Sequence, residues 1–533
     1  MSSVSRIRNA LSLIEDPKII QDHASAVKTV AEKVRSCYVE KRPFRIFHGH
    51  TNSTRQNVLR KNESIDISRL NRVLRFDLDN KRVLAEPNVP MDSLIQATLK
   101  HGLIPPVVPE FPGITVGGSF AGTAGESSSF KYGFFDKTVT SAEVVLPDGT
   151  LTTISKSSEP ELFQKMPSTM GTLGVTTAVE IQLMDAKRYV LSTYHPVNSM
   201  QEATDMIEKE TSNPELDFLD GIMFSPTSGA VITGRLVDDV RPGCPVQRFS
   251  RPWDPWYYLH VRDEISDTAV TPVTEAVPIA EYFLRWDRGG FWVGRSAFKY
   301  FHMPFNRYTR WFLDDFLHTR MLYKALHASK NVISYVVQDC ALPYNTAAEF
   351  VRYTDKHLHI YPLWLCPLPR QDSRETFHPH HSTSSAEGTQ MQPMLNIGLW
   401  GFGPRKHADY LAANRALEEK LTSLGGKKWL YSQTYYTSNE FWALYPRGWY
   451  DRLREKYRAS HLPDVWQKVR VDVEKEKKYL GSWKGRVLNI WPVAGLYGIA
   501  KAIISGEWRI PRTVRIADMD VVRRIGTESK KNL

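Results

Sequence analysis

Cysteine is scarce in this chain. The four thiols among 533 residues, Cys37, Cys244, Cys340 and Cys366, stand far apart with no CxxC pair. Neither a zinc site nor a disulfide framework is expected from them, and a reducing, intracellular compartment is. Long apolar runs are also missing. Arg6, Arg8, Glu15, Asp16 and Lys18 interrupt the first twenty residues, which therefore supply neither a signal-peptide core nor a membrane span. No acidic excess exists: 69 Lys and Arg stand against 58 Asp and Glu, a net charge of +11. Residues 447–533 hold 20 of the basic but only 10 of the acidic side chains, so the preceding body is close to neutral. A nucleic-acid enzyme would carry its positive charge along a working groove, so no nucleic-acid partner is expected, and the basic end reads as a docking device.

What the sequence does have is size. At 533 residues it exceeds one hydrophobic core, and at 42% hydrophobic and 24% charged it is an ordinary globular sequence, which predicts a multidomain fold able to enclose a large ligand. Ile20, Ala24, Val27, Val30, Ala31 and Val34 recur at helical spacing, and Phe44–Phe47 reads as a strand entering a polar turn, His48 to Thr54. A hairpin turning at Asp79-Asn80 follows, then a helix over 91–99 stopped by Gly102. The run GITVGGSFAGTAG, 113–125, removes so many side chains that backbone N–H groups could cradle a phosphate. Beyond it come a hairpin turning at Asp148-Gly149, a helix at 161–163 and a strand 177–183 after Gly171 to Thr176. The pattern is α+β. From 186 to 420 aromatics become dense, and 333–337 and 358–365 read as two strands of a cap sheet, with Pro362 placing the second at an edge or a bulge. Residues 371–393 read as a mobile loop between cap strands. His378, His380 and His381 in that loop lack a partner set, so no metal is expected.

The order of these elements resembles the PCMH-type FAD-binding domain of the vanillyl-alcohol-oxidase kind. Thr115 to Gly118, Gly122-Thr123, Glu126 to Ser129, Lys131 to Gly133, Val336 to Asp339, His359 to Pro367 and Asn439 to Trp442 narrow it. Together they are similar to the sterol Δ24-reductase branch over residues 40 to about 470. The resemblance implies a PCMH-type two-part FAD-binding domain at 1–185 and an α+β cap, or substrate, domain at 186–420. It further implies a segment at 421–480 that closes the active site, leaving a basic tail at 481–533. It implies FAD contacts at His48, Gly49, His50, Thr51, Asn52, Ser53 and Thr54, at Thr115, Val116, Gly117, Gly118, Gly122, Thr123, Gly125, Glu126 and Ser127, and at Gly171, Gly174 and Val175. Non-covalent FAD is expected, because the histidine that attaches flavin in related proteins aligns with Thr51 rather than His50.

The implied activity is reduction of an alkene bond (C=C) in the side chain of a sterol or related terpenoid, with NADPH as electron donor. Such an alkene needs a long, dry, apolar pocket, an acid near the flavin and aromatic faces to steady positive charge. By position in the resemblance, Tyr431 and Tyr435 are the expected active-site residues, with Tyr435 as proton donor. Competing readings are an FAD-dependent oxidase or dehydrogenase of a secondary metabolite and a non-catalytic flavin-binding, membrane-associated protein. The tail leaves two alternatives. Val487 to Ala500 is uncharged, too short to span a bilayer, and flanked by Lys484, Arg486, Lys501, Arg509, Arg512 and by Trp483, Trp491 and Trp508. It reads equally as an interfacial anchor, on the endoplasmic reticulum for a sterol enzyme, or as a helix packed on the body of a cytoplasmic one.

Overall fold

The computed structural model describes residues 13–49, 63–267, 271–330, 333–369, 376–379, 393–445 and 447–513, together with 516 and 519. An early element is the helix Pro17–Val39, whose N-terminus is held by the Asp16 side chain accepting from the Lys18 N–H and whose Val27, Val30, Val34 and Cys37 are buried. Ten strands follow the first-half pattern: β1 (Leu13–Glu15), β2 (Arg45–Phe47), β3 (Ser64–Asp66), β4 (Val73–Asp77), β5 (Arg82–Ala85), β6 (Leu103–Ile104), β7 (Val139–Val145), β8 (Leu151–Ser155), β9 (Val175–Gln182) and β10 (Met184–Asp185). Six of them form an antiparallel sheet in the order β1-β4-β5-β9-β7-β8. The strands β2 and β3 pair in parallel beside it. Both expected hairpins are present, and the helix Met91–Leu99 lies where its apolar spacing placed it.

A second, eight-stranded sheet is built from β11 (Tyr189–Val197), β12 (Phe218–Ser225), β13 (Ser228–Val237), β14 (Val273–Pro278), β15 (Tyr335–Pro343), β16 (Leu363–Leu368), β17 (Met394–Phe402) and β18 (Lys427–Lys428). Its order is β14-β11-β13-β12-β16-β17-β15-β18. The architecture is α+β, two antiparallel sheets with helices packed on them. The cap strands differ from expectation in their limits. Residues 344–358 form the helix Tyr344–Leu358, because Ala347, Val351 and Thr354 recur at helical spacing on its buried face. The strand begins only at Leu363, after Pro362, and it is central, between β12 and β17, so Pro362 marks neither an edge nor a bulge.

Within 370–392, between β16 and β17, residues 376–379 are described, and they are packed rather than loose. Phe377 is buried among Trp449, Tyr450 and Tyr445, while His378 stacks on Phe134 and faces Asp136 at 3.4 Å. Near the C-terminus, the helix Val493–Ser505 lies on the helix Thr319–Ser329 through small residues, Gly498 meeting the Ala325 carbonyl and the Ser329 side chain. Among the described residues no helix is long and apolar enough to cross a membrane.

Candidate active site

A cavity of about 300 Å³ lies between the two sheets. Its first wall is the glycine run. Thr115 caps the helix Val116–Gly122, its side chain accepting from the Gly118 N–H at 3.2 Å, and Thr123 ends it in the left-handed region. Two glycines here have different reasons. Gly117 is demanded by packing, since a Cβ would sit 2.5 Å from the Pro87 side chain. Gly122 is not: a Cβ there meets nothing within 4 Å, although the residue lines the cavity. Space kept open beside bare backbone is what close approach of a bound group requires. Gly118, Gly125, Gly171 and Gly174 share this wall, and Arg45, His48 and Lys468 bring basic side chains to it. Lys468 is steered by a hydrogen bond to the Met170 carbonyl, next to Gly171.

The second wall is one face of three neighbouring strands. Strand side chains alternate between faces, and the β15–β17–β16 register collects Asp339, Asn396, Trp400, Trp364, Cys366 and Leu368 on the cavity side. Gly398, directly opposite Asp339, leaves room for that carboxylate, because a Cβ would come 2.8 Å from Asp339 Oδ1. The Tyr431 hydroxyl donates to Asp339 Oδ2, and Asn396 Nδ2 reaches Oδ1 at 3.4 Å. Burial lifts the Asp339 carboxyl to about 6. Glu110, on the approach to the glycine run, also lines the cavity. Burial, reinforced by the nearby carboxylates of Glu126 and Asp339, raises its carboxyl to about 8, so it carries a proton at neutral pH. Around it are Phe111, Tyr323 and Trp400, with Phe111 edge-on to both others at 5.9 and 5.8 Å. Two carboxyl groups thus share one cavity with both raised by burial, Glu110 the further, the direction that sets an acid beside an orienting carboxylate.

Several expected site residues lie elsewhere. His48, Thr115, Gly117, Gly118, Gly122, Gly125, Gly171 and Gly174 are on the cavity wall; Gly49, Val116, Thr123, Glu126, Ser127 and Val175 are not. Val116 and Val175 point into the core, and Thr123 instead gives its carbonyl to Trp429 Nε1. Glu126 is drawn inward by a buried cation: Arg285 Nη2 lies 3.0 Å from Glu126 Oε1 and 3.1 Å from Asp220 Oδ2, with the guanidinium 4.0 Å over the Tyr282 ring. Ser127 sits in the same cluster, and its carbonyl accepts from the Leu219 N–H. His50, Thr51, Asn52, Ser53 and Thr54 are outside the described residues, as are His380 and His381.

Tyr431 is on the wall but Tyr435 is not. The Tyr435 ring packs edge-on to Tyr410 and its hydroxyl donates to Gln433 Oε1 at 3.0 Å, so the expected proton donor lies off the cavity wall. Glu110, Asp339, Arg45 and Lys468 were missed. Glu110 and Arg45 carry no motif, and Lys468 meets the wall only through the fold. For Asp339 a signal existed: in Val336-Val337-Gln338-Asp339 an acid stands in a fully buried strand.

The residues fit FAD on the open space at Gly122 and on the cations that share its wall. Glycine backbone, Arg45 and Lys468 would hold the pyrophosphate, leaving the isoalloxazine for the aromatic end. Gly122→Ala is accordingly expected to leave the thermal stability of the apoprotein unchanged or slightly higher, since alanine favours a helix by about 0.5–1 kcal/mol. It is expected to weaken FAD binding about tenfold, checked by flavin fluorescence titration. Equal affinity would show that nothing approaches this backbone.

Residues 23–155 match a family described as an FAD binding domain. The Delta(24)-sterol reductase of Macaca fascicularis is 29% identical over 408 residues, covering 74% of this chain and 76% of that protein. The Homo sapiens Delta(24)-sterol reductase is 28% identical over the same shares. The Pisum sativum Delta(24)-sterol reductase is 27% identical over 448 residues, 78% of this chain and 77% of its own. The chain is an FAD-dependent oxidoreductase with a PCMH-type FAD-binding domain, homologous to the Delta(24)-sterol reductases.

Proposed function

We propose that the protein reduces an alkene bond in the side chain of a sterol or related terpenoid, with NADPH as electron donor. The observation that carries this reading is Glu110, a carboxylic acid kept protonated on the wall of an aromatic cavity. When bound and reduced, FAD supplies hydride. An isolated alkene accepts hydride only as a proton reaches its other carbon, and the Glu110 carboxyl holds that proton in the apolar cavity. The faces of Trp400, Phe111 and Tyr323 stabilise the positive charge that grows on the more substituted carbon. Asp339, fixed by Tyr431 and Asn396, orients the site, while Arg45 and Lys468 balance phosphate charge. The relatives named as Delta(24)-sterol reductases support the same substrate class.

The test is anaerobic: NADPH is expected to bleach the bound flavin, and sterols with an unsaturated side chain to restore its colour, with saturated product formed. A flavin that ignores NADPH but turns over rapidly with oxygen would instead identify an oxidase.

A further inference from the structure

The helix Val493–Ser505 is amphipathic in the wrong sense for water. Its inner face is small, with Ala494, Gly495, Gly498 and Ala502 buried against the body. Its bulky apolar residues point outward: Leu496 is 55% and Ile504 76% exposed, with Val493, Tyr497 and Ile503 also exposed. A helix that merely packed on the body would bury the large side chains. The neighbouring cap segment repeats the pattern, with Tyr308 73% and Phe312 77% exposed beside Trp311. Of 21 large hydrophobic residues exposed among the described ones, 14 fall in these two stretches, 303–316 and 483–504. Such a concentration marks a surface that meets something apolar.

The two stretches are joined. Trp491 Nε1 donates to the Tyr300 carbonyl at 2.7 Å, its ring lies 5.3 Å from His302, and the Phe316 and Trp508 rings lie 6.5 Å apart. Charge then selects the partner. Across 289–316 the basic residues Arg295, Lys299, Arg307 and Arg310 outnumber the two acids, and of these Asp314 is buried and paired with Arg288, which leaves Asp315. On the C-terminal side Lys484, Arg486 and Lys501 flank the apolar stretch, and Glu507 is already paired with Lys324. A second copy would bring the same basic rim against itself, whereas an anionic bilayer complements it. Tryptophan and lysine or arginine around an apolar face are the composition of the headgroup layer.

We infer that the segment 303–316 and the C-terminal helix form one monotopic docking surface for an anionic bilayer. It rests on the proposed sterol reduction only for its purpose, supply of a membrane-dissolved substrate. The helix Thr319–Ser329 lies between: Tyr323 faces the cavity and Ala325 lies beneath the C-terminal helix.

The test is flotation of the full-length holoprotein with phosphatidylcholine vesicles, alone or with about 30% phosphatidylserine. Binding is expected on the anionic vesicles, weaker in high salt. Two variants, Tyr308→Ser/Trp311→Ser/Phe312→Ser and Leu496→Ser/Ile503→Ser/Ile504→Ser, should each lose about tenfold or more. Both should retain bound flavin and its reactivity with NADPH, which reports folding independently. Equal flotation on neutral and anionic vesicles, or a cap-segment variant that floats like the parent, would overturn the composite surface. So would sedimentation showing a stable dimer or a protein complex that either variant dissolves. Flotation needs no turnover, so failure of the reductase reading leaves this result intact.

Discussion

Glu110→Gln is expected to lower steady-state turnover by about 10²- to 10⁴-fold, the usual contribution of a positioned general acid. The carboxamide keeps the size of the carboxyl and cannot release a proton, so flavin binding and flavin reduction by NADPH should stay unchanged while reoxidation by the alkene slows. The sign of the pH effect follows from the raised carboxyl. With its proton held up to about 8, the wild-type reoxidation rate should be level through neutrality and fall as pH rises through about 8. The variant should lack that limb. Stopped-flow reoxidation across about pH 6 to 10 measures both, and a variant within about twofold of wild type, with the same limb, would remove Glu110 as donor. In that case the Tyr431–Asp339 pair is the next acid on the wall among the described residues.

The second large effect concerns folding. Arg285→Met should destabilise the protein by about 3–5 kcal/mol, because it strands two buried carboxylates, Glu126 and Asp220, without their cation. Asp220 is already lifted to about 6 by burial, with the Arg285 charge opposing the rise, so the variant should also take up protons on folding. Its loss of stability should therefore shrink as pH falls through the raised Asp220 carboxyl value. Thermal unfolding of the holoprotein at about pH 5.5 and 8 checks both the size and the sign. Adding Glu126→Gln and Asp220→Asn should restore part of the lost stability, and a single variant within about 1 kcal/mol of wild type would mean the cluster is already neutral.

The fold's outline was readable in the sequence where local signals are strong. Asp-Gly and Asp-Asn turns fixed two hairpins, and helical spacing fixed Pro17–Val39 and Met91–Leu99. The cap strands were read poorly because their residues are buried on both faces, so β15 and β16 carry no polar alternation to mark their limits. In the site, glycines were legible because a missing side chain is visible in one dimension. Glu126 and Ser127 misled for the opposite reason: their partner, Arg285, is 159 residues from Glu126 in the sequence. Tyr431 and Tyr435 look equivalent as letters, and only the path of the backbone between Trp429 and Tyr436 turns one to the cavity and the other to Tyr410.

The Arg285 cluster also bears on how such proteins can be recombined. Glu126 belongs to the glycine-rich half of the molecule, while Asp220 and Arg285 belong to the aromatic half. A chimera joined near residue 185 would carry the acid from one parent and the base from another, and any mismatch would leave a lone charge in a sealed interior. The flavin unit is therefore not an exchangeable cassette, and grafting it onto a foreign cap would require all three residues to travel together.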